Sequence, residues 1–398
     1  MGRSEFSSGP VADPAELGFS AARLGRIRER LARDVDADGL PGAVWLVARH
    51  GRIACFEAIG RRDPKADDAM ALDSVFRIYS MTKPIVSLAT LMLLERGLLQ
   101  LGDPVAQFIP AFAETPVAVE QDGRLSLRAP QRPMTVHDLL RHTSGLSYEF
   151  LGPGEVRRRY AEVGIGSRRR TNEQFCEELA KIPLLHDPGA FWEYGYSTDV
   201  LGRVVEVVCG KTLGAFLADE IFGPLGMVDT GFSVPPPSHG RIAEAFETDP
   251  DTAEPVRLLD PRVAPAFESG GGGLMSTALD YARFLQAMQG AGRLGDVRLL
   301  GRKTFEWMTA DHLGAIPSAC ELLTPGYGFG LGYSVRLVDG VSDSPGSAGQ
   351  YTWGGIAGTT FWVDPRESLF AILLTQAPGR RNFYRPLFRN LVYQALEA

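Results

Sequence analysis

The sequence predicts an α+β (α/β) fold: an antiparallel sheet flanked by helices and built from both ends of the chain, with an inserted, mainly helical domain. Three observations carry this. Strand-like runs occur at residues 43–50 and 52–59, and again at 328–338, 351–353, 358–363 and 369–375. From about 103 to 255 the pattern changes to short helices with Pro- and Gly-rich connections. The late strands are joined by short turns, so that part of the sheet pairs antiparallel. The expected boundaries are 1–102 and 256–398 for the sheet domain and 103–255 for the helical domain. No internal repeat is visible.

In chain order, residues 1–10 lack an apolar core and read as a leader rather than a signal peptide. Residues 14–37 form an amphipathic helix that ends near Gly39-Leu40-Pro41. The first two strands meet at a tight turn on Gly51. A long apolar run from Pro84 reads as a buried helix that opens at Ser80 and stops at Gly97. Residues 135–142 form a short helix with Thr135 and Asp138 as its capping box. Pro235-Pro236-Pro237 and Gly270–273 read as loops, and residues 382–396 as the closing helix.

Composition excludes several classes of function. With 398 residues and a net charge of −7, the chain can bury a large core and does not suit nucleic acid as a partner. No stretch of about 18 uncharged apolar residues predicts a membrane span. Cys55, Cys176, Cys209 and Cys320 show no C-x-x-C spacing and read as buried free thiols in a reducing cytoplasm. The six histidines form no metal-ligand pattern, so no metal is expected. Arg157-Arg158-Arg159 and Arg168-Arg169-Arg170 read as solvated loop faces.

Chemistry enters at Ser80-Met81-Thr82-Lys83. Positions i and i+3 share a helix face, so Ser80 and Lys83 would lie side by side at the helix N-terminus. A serine nucleophile needs a base and oxyanion donors. A lysine can be that base in its neutral form, which burial favours. The chain has only five lysines, so one inside an apolar helix invites explanation. Tyr194 and Tyr196, just before a predicted helix, are both candidates to share the proton. The glycines after Trp353 mark either close approach of a ligand to a strand or a bulge or sheet corner. An N–H on that strand could join the N–H of Ser80 in an oxyanion hole. No serine has Gly at both −2 and +2, which excludes the α/β-hydrolase nucleophile elbow.

Together these segments resemble a family. Ser80-Met81-Thr82-Lys83, the run 137–146 (His-Asp-Leu-Leu-Arg-His-Thr-Ser-Gly-Leu), Tyr194, Ser269 with Gly270–273, and Trp353-Gly354-Gly355 stand in the order of motifs in class C β-lactamases and penicillin-binding serine peptidases. They are closer still to the family VIII carboxylesterases, from about residue 40 to the C-terminus. The resemblance implies a β-lactamase-like fold, no cofactor, and an acyl-enzyme on Ser80. It implies Lys83 as general base, Tyr194 as motif tyrosine and Ile356 as second oxyanion donor.

Two departures carry information. Tyr196 stands where β-lactamases have Asn, and Trp353-Gly354-Gly355 replaces Lys-Thr-Gly. A site lined by Trp353, Tyr196, Trp192, Phe191, Tyr148 and Phe150, with no cation, is expected to take a small, neutral, partly apolar ester. The expected activity is a carboxylesterase for short to medium acyl esters, with at most weak β-lactamase activity. A β-lactamase or D-Ala-D-Ala peptidase, an acyltransferase, and a non-enzymatic penicillin-binding sensor are the alternatives.

Overall fold

The computed structural model of the protein describes residues 11–121 and 124–397. The expected leader at residues 1–10 lies outside them. The core is an eight-stranded sheet, antiparallel throughout. In spatial order its strands are Tyr327–Phe329, Ser334–Arg336, Tyr351–Gly354, Thr360–Asp364, Leu369–Thr375, Gly42–Arg49, Arg52–Asp63 and Asp68–Ala69. The early and late strands join where Gly42–Arg49 pairs with Leu369–Thr375, in the register Leu46↔Ile372.

Strand alternation explains why both faces of the sheet are covered. On Gly42–Arg49, Val44, Leu46 and Ala48 point to one side, with Phe370, Ile372 and Leu374 of the neighbouring strand. Ala43, Trp45 and Val47 point to the other, with Leu369, Ala371 and Leu373. The second face packs Leu24, Ile27 and Leu31 of helix Ala21–Asp36 and Tyr384, Phe388 and Val392 of helix Arg381–Tyr393. The first face packs helix Ala278–Gln289 and the helix that follows Ser80. A strand buried on both faces reads as a continuous apolar run, as residues 43–48 do here.

The helix after Ser80 runs Thr82–Glu95, and Thr82 through Leu93 are all buried. A helix apolar all round belongs inside. It ends as the sequence predicts: Gly97 adopts φ +70°, and the amides of Gly97 and Leu98 bond the carbonyls of Leu94 and Leu93. Ser80 itself lies just outside, in the 3₁₀ turn Tyr79–Met81. Among the described residues no helix is long and apolar enough to cross a membrane.

Several expectations need correction. The first helix is two pieces, the 3₁₀ turn Pro14–Leu17 and Ala21–Asp36, separated by Gly18 at φ +73°. The middle of the chain is not only helical, since Val117–Gln121 and Arg124–Arg128 form a hairpin. Residues 328–338 are two short strands, because the chain reverses between them at Gly332, φ +96°. Pro236–Arg241 is a 3₁₀ turn rather than a loop. Arg157–Arg159 lie in helix Glu155–Glu162, and Arg157 bonds the buried Glu193 at 2.9 Å instead of facing solvent. Cys55 and Cys176 are buried; Cys209 and Cys320 are half-exposed.

The capping box at Thr135 and Asp138 forms as expected and does more than end a helix. Asp138 also takes hydrogen bonds from Arg132 (2.6 Å) and Thr143 (2.8 Å). This holds the turn at His142, a non-glycine residue at φ +56°. Burial raises the Asp138 pKa, but the bonds from Arg132, Thr135 and Thr143 outweigh it and bring it down to about 2. Its folded pKa thus lies below the usual aspartate value of 3.8, so the stabilisation is complete above about pH 4 and is lost as pH falls towards about 2. Arg132 faces solvent, which screens part of the gain. Asp138→Asn is expected to cost about 2 kcal/mol at neutral pH. Urea unfolding should show that the difference from wild type shrinks as the pH is lowered to about 3.

Candidate active site

The turn that carries Ser80 is strained. Tyr79 precedes it at φ +44°, a conformation that costs a tyrosine about 1–3 kcal/mol. Three contacts hold it there. The Tyr79 hydroxyl accepts from the Leu259 amide at 3.0 Å, the Met81 amide bonds the Ile78 carbonyl, and Ile78 pairs with Leu274. The short ladder between Phe76–Arg77 and Met275–Ser276 thereby draws the glycine loop 270–273 alongside Ser80.

Lys83 is wholly buried, and its Nζ faces three oxygens: Gly271 O at 2.7 Å, Tyr148 Oη at 3.0 Å and Ser80 Oγ at 3.5 Å. The Tyr194 ring lies under Nζ at 4.5 Å. Although the helix that carries it is apolar, the amine is thus surrounded by aromatic faces and oxygens. Behind Tyr148 lies Asp199, in the first turn of helix Ser197–Cys209. It takes the Tyr148 hydroxyl at 3.5 Å, the Gly271 amide at 3.1 Å and the Ser269 hydroxyl. Burial pushes the Asp199 carboxyl up, and Lys83 pulls it back. Burial, then the charge on Asp199, holds Tyr148 well above the usual phenol range, so it remains a phenol at neutral pH.

The tyrosines divide differently from expectation. Tyr148 bonds Lys83 directly, and Tyr194 does not. The Tyr194 hydroxyl accepts from Trp353 Nε1 at 3.2 Å and faces the cleft. Tyr196 is turned away from Lys83 and donates to Glu149 at 2.8 Å. Sequence reading assigned Tyr148 to the pocket wall and gave Asp199 no role. The available sign was a carboxylate five residues after Tyr194 within an apolar helix. Nothing in the sequence marks Tyr79 as strained.

Two clefts meet at Ser80, and Phe150 and Ile356 line both. One, of about 510 Å³, runs along Tyr194, Thr352, Trp353 and Gly354. The other, of about 590 Å³, is more apolar and includes Tyr148, Tyr196, Leu259 and Phe267. The Ile356 amide, on the turn after the strand, donates to no other group among the described residues, and neither does the Ser80 amide. Both are free to meet an oxyanion.

Other expected wall residues lie elsewhere. Trp192 is fully buried behind Tyr194, against His142 and Phe329, and lines neither cleft. Phe191 packs at a tilt against His186. Gly355 is not a point of ligand approach. A Cβ there would sit 2.4 Å from the Ile78 carbonyl, so the glycine lets the strand end pack onto the Ser80 turn. The expectation of a site without a cation also fails: Arg381, Arg385 and Arg389 line the same cleft as Trp353. Sequence reading missed them because they lie on the closing helix, far from every motif.

Residues 27–394 match the Beta-lactamase family model. Esterase EstB from Burkholderia gladioli is 34% identical over 389 residues, covering 92% of this chain and 93% of that protein. Among solved structures, EstCE1, described as a hydrolase with promiscuous acyltransferase activity, superposes with a TM-score of 0.79 at 27% identity, covering 94% of this chain and 99% of that one. Simvastatin synthase from Aspergillus terreus superposes with a TM-score of 0.76 at 26% identity, covering 96% of this chain and 98% of that one. The chain belongs to the β-lactamase family, in the company of its family VIII-like esterases.

Proposed function

We propose that the protein is a serine carboxylesterase that hydrolyses short to medium acyl esters through an acyl-enzyme on Ser80. The observation that carries this reading is Lys83 Nζ, buried, 3.5 Å from Ser80 Oγ, at the point where two clefts meet. Lys83 takes the proton of Ser80 as Oγ attacks the ester carbonyl. The N–H groups of Ser80 and Ile356 hold the oxyanion. As the tetrahedral intermediate collapses, Lys83 returns the proton to the departing alcohol, assisted by the Tyr194 hydroxyl at the cleft. Water then attacks the acyl-enzyme by the same route in reverse, releasing the acid and restoring Ser80.

Tyr148 serves Lys83 from the other side. As a phenol it cannot be the base, so that role stays with the lysine. Its hydroxyl links Nζ to Asp199, which supplies a counter-charge when Lys83 carries the proton. The Trp353 indole N–H holds the Tyr194 hydroxyl in place. The four free thiols, two of them buried, fit a reducing compartment, so the cytoplasm is the proposed location.

Acyl transfer is the second reading. With the acyl limb in one cleft, the other stays open beside Ser80 to an acceptor alcohol in place of water. The descriptions of EstCE1 and simvastatin synthase favour keeping it. Product analysis with and without an added alcohol separates the two reactions.

Ser80→Ala and Lys83→Ala are each expected to abolish turnover of p-nitrophenyl esters. Substantial hydrolysis by Lys83→Ala near neutral pH would refute the base assignment. Tyr148→Phe and Tyr194→Phe should each lower kcat by about 10²-fold or more, within the range for a positioned proton carrier. Tyr196→Phe should change it far less, since its hydroxyl serves Glu149. Steady-state kinetics on a p-nitrophenyl acetate-to-octanoate series ranks the variants. A larger loss in Tyr196→Phe than in both other variants would sink the assignment.

A further inference from the structure

The closing helix Arg381–Tyr393 buries Tyr384, Phe388 and Val392 against the sheet. That docking turns the adjacent i, i+4, i+8 stripe of Arg381, Arg385 and Arg389 into the cleft that contains Ser80 and Tyr194. Among the described residues, none of the three guanidinium groups meets a carboxylate: their hydrogen bonds go to neutral oxygens, and Arg389 also lies over the Trp362 ring at 5.2 Å. Arg381 donates to the Pro378 carbonyl at 2.7 Å. Arg385 donates to the carbonyls of Gly355 at 2.5 Å and Thr359 at 3.4 Å. Arg389 donates to the hydroxyls of Tyr327 at 2.9 Å, Thr352 at 3.3 Å and Ser344 at 3.5 Å. The neighbouring Arg380, outside the cleft, has a carboxylate partner in Asp251.

This arrangement is costly as it stands. An arginine keeps its charge at any ordinary pH, and like charges at i, i+4 repel. Burial, then Arg381, pulls Arg385 down to about 10, the mark of a cation without its counter-ion. Arg385 Nε is sealed from solvent and has no partner. The two acids on the cleft wall, Glu321 and Asp343, are exposed and form no ion pair with the stripe. A planar anion in the cleft would relieve the repulsion, and guanidinium forks match carboxylate geometry.

We propose that this cleft is an anion subsite, in which Arg381, Arg385 and Arg389 receive a carboxylate carried on one limb of the ester cleaved at Ser80. The inference rests on the serine esterase reading and names its substrate class: an ester that bears a free acid, rather than a wholly neutral one. Arg385 has a second task. Its bonds to Gly355 and Thr359 clamp the turn that presents the Ile356 amide, so Arg381 and Arg389 are the positions to vary.

The test compares anionic esters with neutral partners of the same shape. For the acyl limb, mono-p-nitrophenyl glutarate, adipate and suberate are set against their methyl-capped counterparts. For the alcohol limb, the acetate ester of 4-hydroxybenzoate is set against that of methyl 4-hydroxybenzoate. In one of the two sets kcat/KM should favour the anion by about tenfold or more at low salt. That ratio should fall towards one in Arg389→Gln and Arg381→Gln, survive in part in Arg389→Lys, and shrink with added salt. Neutral esters turned over through Ser80, with no anionic preference in either set, would overturn the subsite and leave the esterase reading intact. If no ester is turned over, titration of adipate and 4-hydroxybenzoate into Ser80→Ala decides. Binding weakened by Arg389→Gln keeps the subsite while the esterase reading falls, and no binding overturns both.

Discussion

Removing the amino group of Lys83 from water is the constraint to which the site is built. A buried amine that can carry charge is unfavourable by several kcal/mol unless polar partners surround it. Here each partner comes from a different stretch of chain: Ser80 from its own turn, Tyr148 from the loop after His142, Gly271 from the glycine loop, and Asp199 from a helix start. The fold must bring all four together or leave the lysine unsatisfied. That requirement ties the sheet, the central helix and the helical region into one cooperative unit.

Close backbone packing makes the convergence possible. A Cβ on Gly271 would lie 2.2 Å from Asp199 Oδ2, and one on Gly195 would lie 2.4 Å from the Leu146 carbonyl. Both glycines are needed because segments bearing Tyr148, Tyr194 and Asp199 interlock. His142 is the pin. Burial holds it well below its usual range, so it stays neutral; its carbonyl takes the Glu193 amide at 2.9 Å, and its Nδ1 the Gly195 amide at 3.4 Å. A neutral ring can accept that bond without adding a second buried cation next to Lys83.

The two clefts differ in chemistry because they are walled by different layers. The apolar one lies between the helical region and the glycine loop, where side chains such as Phe267 and Leu259 complete the packing. The other runs along the sheet edge, where the terminal helix lays its polar stripe beside Trp353. An ester bound across Ser80 has one limb in each environment. Specificity is therefore set by elements outside the reacting group, which is how one scaffold can serve different esters.

The sequence by itself determined the sheet and its core, because strands buried on both faces read as continuous apolar runs, and residues 43–48 and 369–374 do. It determined the helix behind Ser80, from an apolar run closed by Gly97, and the pairing of Ser80 with Lys83, which needs only the local i, i+3 geometry. The exchange of roles between Tyr148 and Tyr194, the carboxylate of Asp199 and the arginines of the last helix are non-local. Tyr148 and Tyr194 both lie within reach of Lys83, and only the packing of His142 and Gly195 decides which hydroxyl turns inward. Arg385 is some 300 residues from Ser80 in the chain, and periodicity says only that it is on a polar face. The tertiary structure decided that this face borders the cleft, because Tyr384, Phe388 and Val392 admit one rotation of the helix on the sheet.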